Sequence, residues 1–209
     1  MNFDLASAAG SRAVIVVEGM SDRVALETLA ERRGLALGAQ GIAIVHLGGA
    51  TNIGHFLDLF GPHGLGVRLA GLCDAAEEGY FRRALARAGV GSPRSRADME
   101  ALGFYVCGAD LEEELIRALG VAAVERVIQA QGELRSLRIF QQMPAWQGQS
   151  PDRQLHRFIG TRSGRQSLYA WLLVSALDLA CVPRPLDRVL AHLVTSPGRR
   201  PGPPFRSAN

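Results

Sequence analysis

Short apolar runs alternate with amphipathic stretches through the first 120 residues. The runs are rich in β-branched residues and predict strands at residues 13–17, 42–47, 67–72 and 104–107. Apolar positions at helical spacing predict helices at residues 22–33, 52–60, 76–88 and 110–119, and the polar residues 89–100 predict a loop. Strands that alternate with helices of this length are typical of βαβ units. The expected fold class is therefore α/β, with a parallel sheet flanked by helices.

The strand pattern ends at residue 120. Helices are predicted beyond it at residues 121–131, 133–142, 152–158, 164–180 and 186–194. The stretch 164–180 is apolar almost all round, so it is expected at the centre of a helical unit. Residues 196–209 contain four Pro and three Arg and predict a flexible tail. We therefore expect an α/β domain over 1–120, an all-helical C-terminal subdomain over 121–195, and the tail over 196–209.

Charge is divided unevenly between the two parts of the chain. Residues 1–120 carry 15 acidic residues against 11 Arg, whereas residues 121–209 carry 5 acidic residues against 12 Arg. This division suggests a cation site beside a phosphate-binding surface, with chance as the alternative. All 23 basic residues are Arg, which excludes a P-loop lysine, a Schiff-base lysine and a Ser–Lys dyad.

The sequence shows no pattern of a secreted or membrane protein. Its first residues lack the apolar core of a signal peptide. The longest apolar run, residues 168–182, is interrupted by Ser175 and Asp178 and is shorter than the ~20 residues of a membrane span. The Cys and His residues have no metal-ligand spacing, and the three Cys are expected to be buried thiols. We therefore expect a cytoplasmic protein with no membrane partner.

Three carboxylates follow predicted strands or open the next helix. Glu18 comes directly after the first strand, Asp74 directly after the third, and Asp22 in the first turn of the first helix. Because parallel strands end at one edge of a sheet, these side chains are expected to converge. Converging carboxylates repel unless a cation joins them or one stays protonated, and oxygen ligands favour Mg²⁺ or Mn²⁺. The alternative for each acid is an ordinary capping or first-turn role.

Two further acidic positions extend this candidate site. Glu112 has apolar residues three, four and seven positions later, so its side chain is expected to face inward. Glu77 follows Asp74 closely and either joins the site or lies in the first turn of the next helix. Asp110 and Glu113 have the spacing of a helix cap, which is a structural role.

An ordered series of motifs runs through the predicted α/β domain. Val-Val-Glu-Gly-Met-Ser-Asp at residues 16–22 precedes a helix, His-Leu-Gly-Gly follows at residues 46–49, and the third strand ends at Asp74. The series resembles the TOPRIM (topoisomerase–primase) domain, in the variant of the OLD-family (overcome lysogenization defect) endonucleases, over about residues 11–120. The resemblance implies a glutamate for acid–base work or metal binding and acidic residues that bind Mg²⁺. Carried over, these roles fall on Glu18, Asp74 and Glu112.

The chain departs from the family pattern at two points. The second aspartate of the family's Asp-x-Asp motif falls on Ala76, with Glu77 as a substitute. The family's nucleases also use a basic residue, typically Lys, from a more C-terminal helix. The best stand-ins are Arg162 and Arg165, in a segment with Gly, Thr and Ser that precedes an apolar helix and is suited to phosphate. The alternative there is an ordinary helix cap with solvated Arg.

These observations lead to one leading hypothesis and two alternatives. We expect a stand-alone OLD-like TOPRIM nuclease that hydrolyses phosphodiester bonds in nucleic acid, with DNA favoured over RNA. Catalysis is assigned to Glu18, Arg162 and Arg165, and metal binding to Glu18, Asp22, Asp74, Glu77 and Glu112. The resemblance also implies a separate ATPase chain as partner, and a homodimer is left open. The alternatives are a catalytically lapsed TOPRIM module that binds nucleic acid, a nucleotide or an ATPase without cutting, and an enzyme acting on a small phosphorylated molecule.

Overall fold

The strands form a fully parallel sheet. The computed structural model describes Ala8 and residues 10–160 and 164–194. Within them, the sheet has four strands in the order β2-β1-β3-β4, and every neighbouring pair is parallel. The strands are β1 (Ala13–Val17), β2 (Ile42–His46), β3 (Arg68–Cys73) and β4 (Phe104–Val106). All five residues of β1 are buried, as a central strand covered on both faces requires.

Helices connect the strands and then continue to the end of the described chain. In the α/β part they are α1 (Met20–Arg32), α2 (Ile53–Phe60), α3 (Glu78–Arg87), α4 (Arg96–Ala101) and α5 (Leu111–Leu119). The later helices are α6 (Val121–Ala130), α7 (Leu134–Gln141), α8 (Pro151–Ile159), α9 (Arg165–Ala176) and α10 (Arg184–Val194). No helix among the described residues is long and apolar enough to cross a membrane. The predicted tail at 196–209 lies outside the described residues.

Alternate residues of β1 enter two separate apolar clusters, one on each face of the sheet. Val14 and Val16 belong to the cluster with α2 and α3, which includes Leu57 and Phe81. Ala13, Ile15 and Val17 belong to the other cluster, together with the inner face of α1. This two-residue alternation gives the sheet a helical layer on each side.

The helical layer on the α1 side continues into the C-terminal helices without a break in the core. Buried residues of α5 to α10 belong to the same apolar cluster as Ile15 of the central strand. Helix α9 lies against α1, and the Arg32 guanidinium donates to the carbonyl oxygens of Val174 and Leu177 at 2.7 Å each. The helices after residue 120 therefore cover one face of the sheet. The boundary at residue 120 remains a prediction.

Three local predictions differ from the structure. The loop prediction for 89–100 is wrong at its end, because Ser95 and Asp98 form a reciprocal cap that starts α4. The predicted helix over 164–180 ends at Ala176, and a separate turn follows in which Asp178 accepts a hydrogen bond from the amide of Ala180. Cys181 lies in that turn and is exposed, whereas the other two cysteines are buried as expected.

Candidate functional site

The carboxyl ends of β1 and β3 meet at the point where the chain reverses its direction across the sheet. The chain passes from β1 to β2 on one side and then returns to β3 on the other. Such a switch point leaves a crevice beyond the strand ends, where α/β proteins bind ligands. Glu18 follows β1 and Asp74 follows β3, and the Asp74 amide donates to Oε1 of Glu18 at 2.8 Å. The two residues therefore converge as expected.

The loop after β2 also borders this crevice. The Gly49 amide donates to the carbonyl oxygen of Glu18 at 3.2 Å. Gly49 has a φ of 124°, a backbone conformation that only glycine adopts readily. The glycines at the end of the second strand thus serve to bring this loop to the residue that carries the first carboxylate.

Asp22 caps the first helix and is also buried near the strand ends. Its carboxylate accepts a hydrogen bond from the Gly19 amide at 2.9 Å, which caps the start of α1. The residue is also buried, with only 8% of its surface exposed. Burial, together with the nearby charges of Glu112 and Glu18, raises the pKa of Asp22 to about 7.

Asp74 and Glu18 are perturbed in the same direction. Burial raises the pKa of Asp74 to about 8, with further contributions from the charges of Glu18, Asp22 and other nearby acids. Burial also raises the pKa of Glu18, against the lowering effect of the Asp74 amide and together with the charge of Glu77. Glu77 is thus within electrostatic reach of Glu18. The crevice contains more negative charge than its own hydrogen bonds compensate.

Glu112 supplies the observation that most directly favours a cation site. It lies in the first turn of α5 and is only 8% exposed, so the inward face predicted for it is confirmed. Its Oε1 atom is buried and has no hydrogen-bond partner among the described residues. Burial, with the charge of Asp110, raises the pKa of Glu112. A buried carboxylate oxygen without a partner is costly, and a cation would relieve the cost.

The donor set fits a hard divalent cation in its chemistry. The converging groups are carboxylates, the ligands that Mg²⁺ and Mn²⁺ prefer. Over residues 10–160 and 164–194, however, no three His, Cys, Asp or Glu side chains are already arranged to hold a metal ion.

The fold and the sequence can be compared with known proteins. Residues 11–75 match the family described as the TOPRIM domain of overcoming lysogenization defect protein-like proteins. Residues 11–75 therefore carry an OLD-like TOPRIM domain sequence. The C-terminal region of the Xanthomonas campestris pv. campestris OLD protein is 25% identical, with a TM-score of 0.68, over 88% of this chain and 94% of that one. No curated protein sequence shows a significant match.

The structural likeness extends beyond the TOPRIM domain into the helical layer. The C-terminal region of the Burkholderia pseudomallei OLD protein has the same fold, with a TM-score of 0.67 over 88% of this chain and 97% of that one, at 22% identity. The TOPRIM match ends at residue 75, but the structural likeness covers 88% of the chain. It therefore includes most of the C-terminal helices. Sheet and helical layer therefore share the architecture of the OLD C-terminal region.

The first departure from the TOPRIM pattern is now visible in space. Ala76 is exposed, in the short 3₁₀ turn Ala75–Glu77 that follows Asp74. It offers no ligand where the family has its second aspartate. Glu77 is the carboxylate in this turn that acts on Glu18, which is consistent with its proposed role as a substitute.

The arginines chosen from the sequence are placed differently from the carboxylates. Arg162 lies within 161–163, outside the described residues. Arg165 is 8% exposed, and its guanidinium donates to Oε1 of Glu133 at 2.6 Å and to the carbonyl of Phe158 at 3.1 Å. It also lies over the Phe158 ring, 4.5 Å from the centroid. These contacts give Arg165 a structural role within the helical layer.

Two polar residues of α8 that the sequence analysis did not assign to the site, His156 and Arg157, lie beside Glu112. His156 Nε2 lies 2.6 Å from Oδ2 of Asp110, and this pairing raises the pKa of the imidazole. Burial alone would raise the pKa of Asp110, but the hydrogen bonds from His156 and the Glu113 amide lower it. A cavity of about 150 Å³ is lined by Asp110, Glu112, His156, Arg157, Gly160 and Gln166. Arg157 therefore borders the same cavity as Glu112.

Sequence spacing could not have revealed this arrangement. His156 and Asp110 are 46 residues apart and come from different helices. Asp110 does cap α5 as predicted, through a hydrogen bond from the Glu113 amide. The signal available in the sequence was the position of His156 and Arg157, just before the Gly-rich and Arg-rich segment that precedes α9.

Proposed function

We propose that this chain hydrolyses phosphodiester bonds in nucleic acid with the help of a divalent cation, Mg²⁺ or Mn²⁺. The observation that carries the proposal is the buried Oε1 atom of Glu112, which has no partner among the described residues and lies in a set of carboxylates with raised pKa values. The OLD-like TOPRIM domain belongs to a nucleic-acid-acting family of metal-dependent nucleases, which supports the same chemistry.

Each carboxylate has a distinct task in this proposal. Asp22, Asp74 and Glu112 would hold the cation, with Glu77 in place of the second aspartate. The bound cation would acidify a ligated water and stabilise the leaving oxygen. Glu18, which is oriented by the Asp74 amide, would accept the proton of the attacking water.

A nuclease assay with matched variants tests the proposal. Plasmid, linear duplex and single-stranded DNA and RNA are incubated with Mg²⁺, with Mn²⁺ and with EDTA. We expect cleavage in metal and none in EDTA, and a loss of at least about 100-fold in Glu18→Gln and Asp74→Asn. Asp58→Asn, which changes an exposed aspartate of α2, is the control and should cleave as the wild type does. Failure of the folded wild type to cleave with either metal would overturn the proposal.

A non-cleaving TOPRIM module is the second candidate. Ala76 at the place of the second aspartate favours it, as does the absence of a ready-made three-ligand cluster among the described residues. Such a module would bind nucleic acid equally well in EDTA and would not cut it. The two candidates are therefore separated by the same assay combined with a binding titration.

The partners are also part of the proposal. We infer DNA as the preferred substrate over RNA, and an ATPase as the protein partner, as the family association with ATPase domains suggests. Addition of an ATPase of the OLD type with ATP would then raise the cleavage rate. A homodimer would be seen as twice the chain mass of 22.4 kDa in a sedimentation experiment.

A further inference from the structure

A second, larger recess opens between α5 and α8, next to the carboxylates. It has a volume of about 640 Å³, within the range of ligand sites. Its lining consists of Ala109, Asp110, Glu113, Ile116, Arg117, Trp146, Ser150, Asp152, Arg153, His156 and Arg157. Asp110, His156 and Arg157 also line the small cavity that contains Glu112. The recess and the cavity that contains Glu112 therefore share a wall.

Trp146 forms an aromatic wall that is fixed in place. Its ring stacks on Phe140, with centroids 5.1 Å apart and the planes inclined by 27°. Its carbonyl oxygen accepts a hydrogen bond of 2.8 Å from Nε2 of Gln154, a residue of α8 that is only 9% exposed. Phe140 in turn packs edge-on against Phe158. Trp146 therefore lines the recess with a side chain that is already held in place by its neighbours, so binding there would not have to order it.

Two arginines stand one helical turn apart on the exposed side of α8. Arg153 and Arg157 are four residues apart, so their side chains project from the same face. Arg153 donates to Oε1 of Gln149 at 2.9 Å, and Arg157 has no ion-pair partner in the described part of the chain. Of these two, it is Arg157 that lies between the recess and the Glu112 cavity.

The recess also contains acidic groups, so it is not a simple basic patch. Asp110 is bonded to His156, while Glu113 and Asp152 contribute carboxylates to the lining. A nucleotide has a base that stacks on aromatic rings, and it has a phosphate that pairs with arginine. The amino groups of the base can donate hydrogen bonds to carboxylates. The recess contains all three kinds of partner. A plain phosphate would need the arginines alone.

We propose that this recess binds one nucleotide of a single-stranded nucleic acid, with its base against Trp146 and its phosphate at Arg157. The proposal rests on the proposed function for its link to cleavage, since the shared wall would place the next phosphate at the carboxylates. Base stacking on an aromatic ring is tolerant of sequence, so the site would select unpaired strands rather than a particular base.

Tryptophan fluorescence can report on the recess directly. The chain has two Trp, and Trp171→Phe, at an exposed position of α9, leaves Trp146 as the single indole. Four-residue oligonucleotides of deoxycytidine and of cytidine, whose bases carry an exocyclic amino group, are titrated into this variant in EDTA. We expect saturable quenching, and a loss of affinity of at least about 5-fold when Arg157→Ala is added. The slope of log K against log salt should become shallower by about 0.7.

Controls separate the recess from general charge effects. Arg135→Ala removes an exposed arginine of α7 and should leave the titration unchanged. Inorganic phosphate should not quench Trp146 at oligonucleotide concentrations, and blunt duplex should bind less tightly than the single strand. Urea midpoints of all variants confirm that each one is folded. Equal affinity of the Arg157→Ala and Arg135→Ala variants, or duplex binding as tight as single-strand binding, would overturn the proposal.

The outcome is independent of whether the chain cuts. Binding in EDTA with no cleavage in metal would support the recess and refute the nuclease. Metal-dependent cleavage that is lost in Glu18→Gln, without any quenching of Trp146, would support the nuclease and refute the recess.

Discussion

Removal of one buried charge should stabilise this protein. Asp22 carries its carboxylate into the crevice at 8% exposure, where burial and the charges of Glu112 and Glu18 raise its pKa to about 7. Asp22→Asn removes the charge and keeps an oxygen that can accept the Gly19 amide hydrogen. The rise from the ordinary value of 3.8 to about 7 corresponds to about 4 kcal/mol, since each pKa unit is worth about 1.4 kcal/mol. We expect a gain of about 2–4 kcal/mol, because the neighbouring acids share part of the penalty.

The sign of the effect with pH follows from linkage. An acid whose pKa is raised by folding holds its proton more tightly in the native state, so its ionisation destabilises the fold. The cost is absent below the pKa of an unfolded aspartate, about 3.9, and grows as the pH rises toward about 7. Above that pH it is complete. The gain from Asp22→Asn should therefore be below about 1 kcal/mol at pH 4 and full at pH 8.

Urea unfolding in EDTA at several pH values measures this gain. Asp58→Asn, the same change at an exposed position, should alter the free energy of unfolding by less than about 0.5 kcal/mol at every pH. Mg²⁺ added at pH 8 should stabilise the wild type more than the Asp22→Asn variant, since the variant has lost one anionic ligand. An Asp22→Asn variant that is no more stable than the wild type at pH 8 without metal would show that the buried charge carries no net cost.

Three further substitutions test the packing and capping that support the site. Gly71→Ala places a Cβ 2.6 Å from the ring of Phe104 and should cost about 1–3 kcal/mol in urea unfolding; a neutral result would mean that β3 and β4 separate easily. Arg165→Met removes the buried guanidinium that is paired with Glu133 and should cost about 1–3 kcal/mol, and an unchanged midpoint would contradict a structural role for this arginine. Ser95→Ala removes the cap of α4 and should cost about 1 kcal/mol.

Matched changes on exposed surfaces serve as controls for these three. Gly79→Ala adds a methyl group within α3, 3.3 Å from the flexible end of Arg83, and should not destabilise the protein. Arg135→Met and Ser136→Ala alter exposed positions of α7 and should stay within about 0.5 kcal/mol of the wild type. A cost at Ser136 as large as the cost at Ser95 would remove the capping argument.

The parts of the site that lie close to strand ends could be predicted from sequence. Glu18 and Asp74 follow apolar runs directly, and parallel pairing then requires them to meet. The inward face of Glu112 was visible in the helical spacing of its apolar neighbours. Helix α4 was missed because its cap uses Asp98 where a glutamate is the usual signal, and its six residues bury a single side chain, that of Met99.

The parts that depend on helix packing could not be predicted. The sequence does not show whether an arginine faces solvent or is buried against a glutamate, so the pairing of Arg165 with Glu133 had no local signal. The same holds for His156 and Asp110, which meet because α8 packs against α5. Long-range contacts of this kind are set by the shape of the core, which a single sequence does not specify position by position.

The continuous core between the sheet and the C-terminal helices has a consequence for how this protein can evolve. A sheet domain and the helices that cover it could in principle be exchanged between proteins as separate pieces. Here Arg32 of α1 is bonded to Val174 of α9, 142 residues later in the chain, within a contact surface that runs through the apolar cluster. A substitution on one side has to be matched on the other, so the two regions are expected to diverge together and to be inherited as a unit.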